Sequence, residues 1–220
     1  MRTDGDFGAF NLGGHVGDDP VLVEANRRAL ATELDVPRDR LLFMAQCHGV
    51  EVARVEEPWR GDPPAVDGIV TTNPDLALAV LVADCVPVLL ADANVGVVAA
   101  VHAGRPGMLG GIVPAALEVM RGSGARHIRA AVGPSVCGRC YEVPEQLRDA
   151  AAKVSPASVA VSWTGTPAID VAAGVVEQLV ARGVAVTWVP GCTRESPHLY
   201  SYRRQARTGR FAGVVRGVRR

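Results

Sequence analysis

Residues 76–104 read LALAVLVADCVPVLLADANVGVVAAVHAG. Three apolar runs lie in this stretch, at residues 76–82, 87–91 and 95–101. They are continuous rather than alternating, which is typical of strands that are buried on both faces. Strands covered on both sides need helices or a second sheet against them. The stretch therefore predicts an α/β fold in which mixed β-sheets are covered by helices.

The segments on either side carry signals for helices and further strands. Asp19 and Pro20 suit the N-cap and the first position of a helix to about residue 34. Asp170 suits the N-cap of another helix, to about residue 182. Further helices are predicted at residues 109–121 and 144–154. Further strands are predicted at residues 41–47, 50–55, 66–70, 128–132, 158–163, 184–189, 200–202 and 211–215. No repeat period or linker divides the chain, so residues 1–220 are predicted to form a single domain.

Composition and charge narrow the class of function. A chain of 220 residues with 48% hydrophobic residues can fill a core. The 23 basic and 23 acidic residues cancel, so no overall field attracts nucleic acid or an anionic membrane. The longest apolar stretches are interrupted by Asp84 and are too short to span a bilayer. No apolar leader follows residues 1–4, and the five cysteines show no disulfide framework, so we expect a cytoplasmic protein with reduced thiols.

Two histidines and a cysteine lie at the ends of apolar strands. They are His48 in Gln46-Cys47-His48-Gly49, Cys85 in Ala83-Asp84-Cys85, and His102 in Val101-His102-Ala103-Gly104. Two imidazole nitrogens and one thiolate form the ligand set of an open catalytic zinc site, in which water or substrate takes the fourth position. The small residues after His102 would let a ligand approach closely. His48, Cys85 and His102 are therefore candidate metal ligands.

Each of these residues also has an ordinary structural interpretation. A buried cysteine is usually a small apolar side chain, His102 suits a hydrogen-bonded core histidine, and His48 suits a turn. Asp84 favours the functional interpretation, because a carboxylate at the end of an apolar strand costs free energy unless it is paired. Beside Cys85 it would orient a metal ligand or act as a general base. Asp84, Cys85 and His102 are therefore the candidate catalytic residues.

Three other cysteines are not assigned to the site. Cys47 is expected to point away from His48, because side chains alternate along a strand. Cys137 and Cys140 form a CxxC motif, but the sequence holds no matching CxxC or HxxxH pair, and one CxxC is a weak sign of zinc or redox chemistry. We therefore interpret this motif as a structural turn.

Two segments offer contacts to an anion. The glycine-containing segment 12–17 precedes a helix and includes His15, although Asp18 and Asp19 would repel phosphate. The second segment is the densest basic patch of the chain, Ser201-Tyr202-Arg203-Arg204 with Arg207 and Arg210. This patch suits either an oxyanion clamp or a solvated surface.

These motifs together resemble the YfiH/YlmD family. Its members have carried a laccase-domain or polyphenol oxidase label and are now regarded as purine nucleoside phosphorylases. The resemblance extends over almost the whole chain. Besides the sequences quoted above, it rests on His15-Val16-Gly17-Asp18-Asp19, Asn26-Arg27, Asp67-Gly68 with Thr71, Gly133-Pro134, Tyr141-Glu142-Val143, Cys192-Thr193 and Thr208-Gly209-Arg210.

The resemblance implies a four-layer α/β/β/α fold with mixed β-sheets, and one zinc ion held by His48, Cys85 and His102. The implied reactions are phosphorolysis of adenosine, inosine and methylthioadenosine, and deamination of adenosine, in which Asp84 would shuttle a proton. Purine nucleosides and phosphate are the implied partners. The candidate substrate- and phosphate-binding residues are His15, Arg27, Gln46, Arg203 and Arg204.

Two positions depart from the family pattern. The family continues His-Ala-Gly with Trp-Arg-Gly, where this chain has Arg105-Pro106-Gly107. Arg105 would supply the positive charge from one position earlier. Cys47 stands where the family usually has valine, which changes packing more than chemistry.

Three other functions fit parts of the pattern. Cys85 and His102 would serve as nucleophile and base of a Cys–His hydrolase or deamidase. Two histidines, a cysteine and a weak axial methionine describe a blue-copper centre, so copper is an alternative to zinc. A laccase needs many more histidine ligands than a chain with five histidines offers. A non-enzymatic interaction domain would suit the fold. It would not explain why the carboxylate of Asp84 lies at the end of an apolar strand, where it costs free energy unless it is paired.

Overall fold

The computed structural model describes residues 5–217. Residues 1–4 and 218–220 lie outside this part. The predicted absence of an apolar leader concerns residues 1–4, and the predicted domain 1–220 extends over both of these ends. The α-helices are α1 Pro20–Glu33, α2 Arg105–Gly110, α3 Ile112–Gly122, α4 Glu145–Val154 and α5 Val171–Val180. The strands are β1 Leu41–Leu42, β2 Val52–Arg54, β3 Gly68–Thr71, β4 Ala77–Val82, β5 Val86–Asp92, β6 Val97–Ala103, β7 Arg129–Val132, β8 Val159–Val161, β9 Pro167–Ile169, β10 Ala185–Trp188 and β11 Phe211–Arg216.

The predicted starts of two helices are confirmed. The Asp19 side chain accepts a hydrogen bond of 2.9 Å from the amide of Val21, and Pro20 begins α1. Asp170 caps α5 in the same way, through the amide of Ala173 at 2.8 Å. Both caps supply an acceptor to an amide that has no partner within the helix. Within residues 5–217, none of the helices is both long enough and apolar enough to cross a membrane.

Three predicted elements differ from the structure. The helix predicted at 109–121 is interrupted at Gly111, whose φ of +97° is left-handed and separates α2 from α3. The strand predicted at 41–47 ends at Leu42, and the later part of that segment, at Cys47, donates its amide to a buried carboxylate. The strand predicted at 200–202 is a turn. Both incorrect strands lie in segments that contribute to the site.

The strands form two principal mixed sheets. One has the order β1-β4-β11, and the other has the order β10-β7-β5-β6-β3-β2. A separate two-stranded sheet pairs β8 with β9. In the three-stranded sheet β1 is parallel and β11 antiparallel to β4. The predicted α/β class with mixed sheets is therefore confirmed.

The apolar runs of β4 and β6 are buried on both faces, as predicted, whereas Leu89 and Ala91 of β5 are half-buried and Val95 is exposed. In β4, alternate residues pack against α1 on one side and against the six-stranded sheet on the other. In β6, Val97, Ala99 and Val101 pack toward α3 and α5, whereas Val98 and Ala100 face the smaller sheet. The order of layers is α1, three-stranded sheet, six-stranded sheet, then α3 and α5. This is the predicted α/β/β/α arrangement.

Candidate metal centre and cavity

The three predicted metal ligands come together at one end of the sheets. Cys85 immediately precedes β5, His102 lies near the end of β6, and His48 lies in the turn between β1 and β2. Antiparallel pairing places Pro87 opposite His102, which brings Cys85 close to that histidine. All three ligand atoms lie within 4.8 Å of one another, and His48 Nε2 is 3.6 Å from Cys85 Sγ. The arrangement supplies two nitrogens and one sulfur at a common point.

Asp67 fixes the orientation of two of these ligands. Its Oδ1 atom accepts a hydrogen bond from His102 Nδ1 at 2.7 Å, so His102 presents Nε2 to the cluster. The same carboxylate accepts the backbone amides of Cys47, His48 and Gly49, at 3.2, 3.0 and 2.6 Å. Asp67 is completely buried. It was not among the predicted site residues, although the resemblance included Asp67-Gly68.

The backbone turns sharply at His48. His48 has a φ of +63°, a left-handed conformation that strains a residue with a Cβ atom. The amides bound by Asp67 hold that conformation. Cys47 therefore leaves the cluster through a turn rather than by strand alternation, and its Sγ lies 3.1 Å from Asp67 Oδ2. This hydrogen bond to Asp67 raises the pKa of the Cys47 thiol.

The cluster favours a charged sulfur. Burial would raise the pKa of Cys85, but hydrogen bonds and positive charge from His102 and His48 lower it to about 6. Burial would lower the pKa of His102, but hydrogen bonds to Asp67 and Cys85 raise it to about 9. Without a cation, the pair at neutral pH is a thiolate and an imidazolium. Cys85 is thus poised either to bind a metal or to act as a nucleophile.

Asp84 holds the surrounding loops instead of the ligands. Its Oδ1 accepts the hydroxyls of Thr193 and Ser201, each at 2.6 Å, and its Oδ2 accepts the amide of Arg203 at 2.6 Å. Ser201 turns toward Asp84, which is why residues 200–202 do not extend as a strand. The ligand-orienting role predicted for Asp84 is therefore wrong, and Asp67 makes that contact. The proton-shuttle role of Asp84 stays a prediction.

A cavity of about 560 Å³ opens over the metal-ligand cluster. This volume is within the range of small-molecule sites. Its polar and aromatic lining includes His15, Gln46, Arg105, Tyr141, Tyr202, Arg203 and Arg210. The Arg203 guanidinium lies 4.5 Å from the centre of the Tyr141 ring. Burial, followed by the charges of Arg210 and Arg27, lowers the pKa of His15 and favours the neutral form of this lining residue.

Two predicted anion-binding arginines do not line the cavity. Arg27 donates from Nε to the carbonyl of Leu12 at 2.9 Å, and its guanidinium lies 4.2 Å from the centre of the Phe43 ring. Arg204 Nη1 donates to the carbonyl oxygens of Thr193 and Ser196, at 2.6 and 2.8 Å. Both arginines therefore hold backbone segments, and their role in binding phosphate stays a prediction.

Gln46 lines the cavity, but its amide group is already paired. Gln46 Nε2 donates to the carbonyl of Leu81 at 2.7 Å, and Gln46 Oε1 accepts the Leu81 amide at 2.8 Å. This two-point contact attaches the ligand-bearing turn to β4. Its predicted contact with substrate stays a prediction.

Arg105 and Arg210 line the cavity, whereas Arg27 and Arg204 do not. Arg105 Nε is buried and has no hydrogen-bond partner among the described residues. An unpaired buried donor costs free energy, so this group is suited to an anionic ligand. The sequence signal that placed Arg105 near the cavity is its position directly after His102-Ala103-Gly104. The signals for Arg210 were the basic patch and the family motif Thr208-Gly209-Arg210.

A second group of potential ligands lies outside this cluster. Cys137, Cys140, Cys192 and Glu195 place their ligand atoms within 4.8 Å of one another. The sequence shows no matching CxxC or HxxxH pair, and it therefore predicts only a structural turn at the CxxC motif. The structure supplies the partners from a segment about 55 residues further along the chain.

Gly104 permits the close approach of the ligands, which leads to a testable prediction. A Cβ atom at this position would lie 2.6 Å from His48 Cδ2 and 3.3 Å from Cys85 Sγ. We expect Gly104→Ala to displace the His48 ring and reduce metal affinity and activity about 10- to 100-fold. Metal titration and steady-state kinetics measure this effect. Gly122→Ala is the matched control, because its Cβ would meet no atom within 4 Å. Equal behaviour of the two variants would contradict the prediction.

Comparison with protein families matches residues 2–217 to the family described as multi-copper polyphenol oxidoreductase laccase. A purine nucleoside phosphorylase of Streptomyces coelicolor is 55% identical over 210 residues, which cover 94% of this chain and 87% of the relative. One from Streptomyces griseus is 51% identical over 214 residues, covering 95% and 87%. One from Mycobacterium tuberculosis is 49% identical over 212 residues, covering 95% and 85%.

Solved structures show the same fold. The crystal structure of YlmD from Geobacillus stearothermophilus is similar with a TM-score of 0.90 and 30% identity, covering 98% of this chain and 87% of that one. YfiH from Bacillus licheniformis gives a TM-score of 0.89 at 26% identity, covering 98% and 88%. The predicted resemblance to the YfiH/YlmD family is therefore confirmed.

Proposed function

Because the chain belongs to the family described as multi-copper polyphenol oxidoreductase laccase, and its relatives with 49–55% identity are named purine nucleoside phosphorylases, we propose that it is a zinc-dependent purine nucleoside phosphorylase. One observation carries the proposal. The cluster of His48, Cys85 and His102 opens into the same cavity as three arginines, one of which has an unpaired buried donor. A cation and a phosphate group would therefore be held in the same cavity as the nucleoside.

The donor set fits a zinc ion. Two imidazoles and one thiolate are ligands that zinc prefers, and three protein ligands leave one position open. The Asp67 contact to His102 is the kind of outer hydrogen bond that metal-binding histidines usually make. When bound, zinc would supply a Lewis acid that withdraws electron density from the purine or lowers the pKa of a water molecule to about 7.

The arginines would bind the attacking phosphate. Arg105, Arg203 and Arg210 all line the cavity, and their charges complement a phosphate dianion. In phosphorolysis, a phosphate oxygen forms a bond to the anomeric carbon while the bond from that carbon to the purine nitrogen breaks. The purine leaves with the electron pair and must receive a proton. His15, whose lowered pKa favours the neutral form, would hydrogen-bond the nucleoside, and Asp84 is the candidate group for moving the proton.

The finer assignments belong to the same proposal. We include inosine and methylthioadenosine among the substrates, and deamination of adenosine as a second reaction of the centre. Zinc is favoured over copper because a laccase needs a larger set of histidines. The two ligand groups found within residues 5–217 contain two histidines in all. A cytoplasmic location is part of the proposal.

The test is metal analysis followed by product analysis with adenosine, with and without phosphate. We expect zinc to co-purify with the protein, and adenine and ribose 1-phosphate to form only when phosphate is present. Inosine formed without phosphate would show the deamination. Zinc-replete protein that forms none of these products would overturn the proposal, and it would favour an interaction domain.

Arg105 offers a separate prediction about phosphate. Arg105→Gln removes a charged donor whose hydrogen bond is worth about 1.5–3 kcal/mol, so the KM for phosphate should rise about 10- to 100-fold. The KM for the nucleoside should change little. Arg60→Gln, at an exposed arginine in the loop before β3, is the control. An unchanged KM for phosphate in Arg105→Gln would remove Arg105 from the phosphate site.

A Cys–His hydrolase is the second candidate. The pKa of Cys85 is lowered to about 6, and His102 lies beside it. Asp67 accepts a hydrogen bond from His102. In a hydrolase, Cys85 would be the nucleophile, His102 the base and Asp67 the carboxylate that orients the base. Iodoacetamide distinguishes the two functions. A zinc-bound Cys85 should be protected from alkylation until a chelator is added, whereas a hydrolase nucleophile should react at once.

A further inference from the structure

The second ligand group is formed by two turns that approach each other. Cys137 and Cys140 lie in one turn, closed by a hydrogen bond of 2.9 Å from the Cys140 amide to the Cys137 carbonyl. Cys192 and Glu195 lie in another, in which the Ser196 amide donates to the Cys192 carbonyl at 2.9 Å. Each turn therefore presents two potential ligands three residues apart. This spacing is common among structural zinc ligands.

Backbone contacts hold the two turns together. Ser135 and Cys192 form an isolated parallel bridge. The Thr193 amide donates to the Ser135 carbonyl at 3.0 Å, and the Ser135 amide donates to the Gly191 carbonyl at 3.3 Å. The three sulfurs and the carboxylate consequently converge, with all ligand atoms within 4.8 Å of one another. Two sulfurs at 2.3 Å from a tetrahedral zinc would be about 3.8 Å apart, so only a small contraction is needed.

The surrounding groups suit charged ligands. The Cys137 amide lies 3.5 Å from Cys192 Sγ and donates toward it. Trp163 Nε1 donates to Glu195 Oε1 at 3.0 Å, and the Cys140 thiol donates to the same oxygen at 3.3 Å. The Arg139 guanidinium stacks 4.4 Å from the centre of the Trp163 ring. Outer contacts of this kind orient metal ligands and stabilise their charge.

We propose that Cys137, Cys140, Cys192 and Glu195 form a second, structural zinc site. Three thiolates and one carboxylate fill all four tetrahedral positions, so this ion would be closed to substrate. The site is separate from the cluster of His48, Cys85 and His102, and the proposal does not depend on the nucleoside activity.

The second site would stabilise segments that line the cavity. Tyr141 follows Cys140 directly and stacks with Arg203, and both line the cavity. Thr193 follows Cys192 and donates its hydroxyl to Asp84 at 2.6 Å. An ion joining the two turns would therefore fix the position of both segments relative to the catalytic cluster.

Redox catalysis explains the same cysteines less well. Reactive cysteines are partly exposed to solvent, so that a substrate thiol or oxidant can reach the sulfur. Cys140 is instead buried, with only 3% of its surface exposed.

The experiment measures zinc per chain in the full-length protein, in Cys85→Ala and in Cys85→Ala/Cys140→Ser, all purified with a reductant. We expect the double variant to contain one zinc ion fewer than Cys85→Ala. Cobalt added to reduced, metal-free Cys85→Ala protein should produce thiolate-to-cobalt absorption, and it should not do so in the double variant. Glu195→Gln in the Cys85→Ala background keeps all three thiols of the site and should bind zinc more weakly. It keeps the proposal testable if Cys140→Ser fails to fold.

Two results would overturn the proposal. One is a Cys85→Ala protein with free thiols that binds neither zinc nor cobalt, or binds them as the double variant does. The other is a disulfide between cysteines of this group in protein purified without an oxidant, detected by mass spectrometry. Cys47→Val is the control for loss of an unrelated thiol and should leave the second site unchanged. Loss of nucleoside activity alone would bear on the first centre and not on this one.

Discussion

Replacing Cys85 by alanine is expected to release the metal from the catalytic cluster and to lower kcat/KM for phosphorolysis by about 10²-fold or more. The change removes the only sulfur among the three ligands and leaves His48 and His102 as two nitrogen ligands. Even substitutions of groups behind metal ligands commonly cost 10- to 100-fold in affinity or activity, so loss of a ligand should cost at least as much. Metal titration and steady-state kinetics with adenosine and phosphate measure both effects.

Cys47→Val is the matched control for Cys85→Ala. Cys47 is an exposed thiol next to His48, and valine is the usual residue of the family at this position. The substitution keeps the Cys47 amide that donates to Asp67. A Cys85→Ala protein that retained the metal of this cluster and full activity would disprove the proposed centre.

Asp67→Asn should have the second large effect, on both metal affinity and stability. The carboxylate accepts hydrogen bonds from three consecutive backbone amides and from His102 Nδ1. An asparagine has only one accepting oxygen, and its NH2 group would face donors. We expect metal affinity to fall about 10- to 100-fold. Breaking the buried interaction should also lower the free energy of unfolding by about 3–5 kcal/mol.

Asp92→Asn separates the two effects of the Asp67 substitution. Asp92 is also a buried carboxylate, and it accepts the backbone amides of Asn94, Arg126 and His127 away from the cluster. Its replacement should lower stability and leave metal affinity unchanged. Equal losses of metal affinity in the two variants would show that Asp67 acts through overall stability and not by orienting His102. Urea unfolding and metal titration give the two quantities.

The stability effect of Asp67 should depend on pH in a defined direction. Although burial opposes it, hydrogen bonds from His102, Cys47 and the Gly49 amide hold the pKa of Asp67 well below its usual value. A lowered pKa contributes stability above the unfolded value of about 3.9, and that contribution is lost as the pH falls below it. The difference in unfolding free energy between the wild type and Asp67→Asn should therefore shrink as the pH falls below about 4. Because Asp67 also helps to raise the pKa of His102 to about 9, the difference should shrink as well when the pH rises from the unfolded histidine value of about 6.5 towards 9. A difference that grows as the pH falls below about 4 would contradict the assignment.

Much of the scaffold was predictable because its signals are local. Continuous apolar runs predicted strands that are buried on both faces, and the structure places β4 and β6 in the middle of four layers. Asp19 and Asp170 predicted helix starts because an N-cap needs only a side-chain acceptor next to free amides. His48, Cys85 and His102 were recognisable because each lies where an apolar strand meets small or polar residues.

The sequence patterns by themselves therefore determined the class of fold and the three side chains of the candidate metal cluster, and the resemblance to a known family supplied the order of the layers. The tertiary structure decided which partners these groups have. Asp67 reaches His102 across 35 positions, Asp84 reaches Thr193 across 109, and Cys140 reaches Glu195 across 55. It also turned Arg27 and Arg204 toward backbone carbonyls and brought Arg105 to the cavity. The physical reason is that burial and backbone conformation follow from neighbouring residues, whereas a hydrogen-bond or ligand partner depends on strand register and on how distant loops pack.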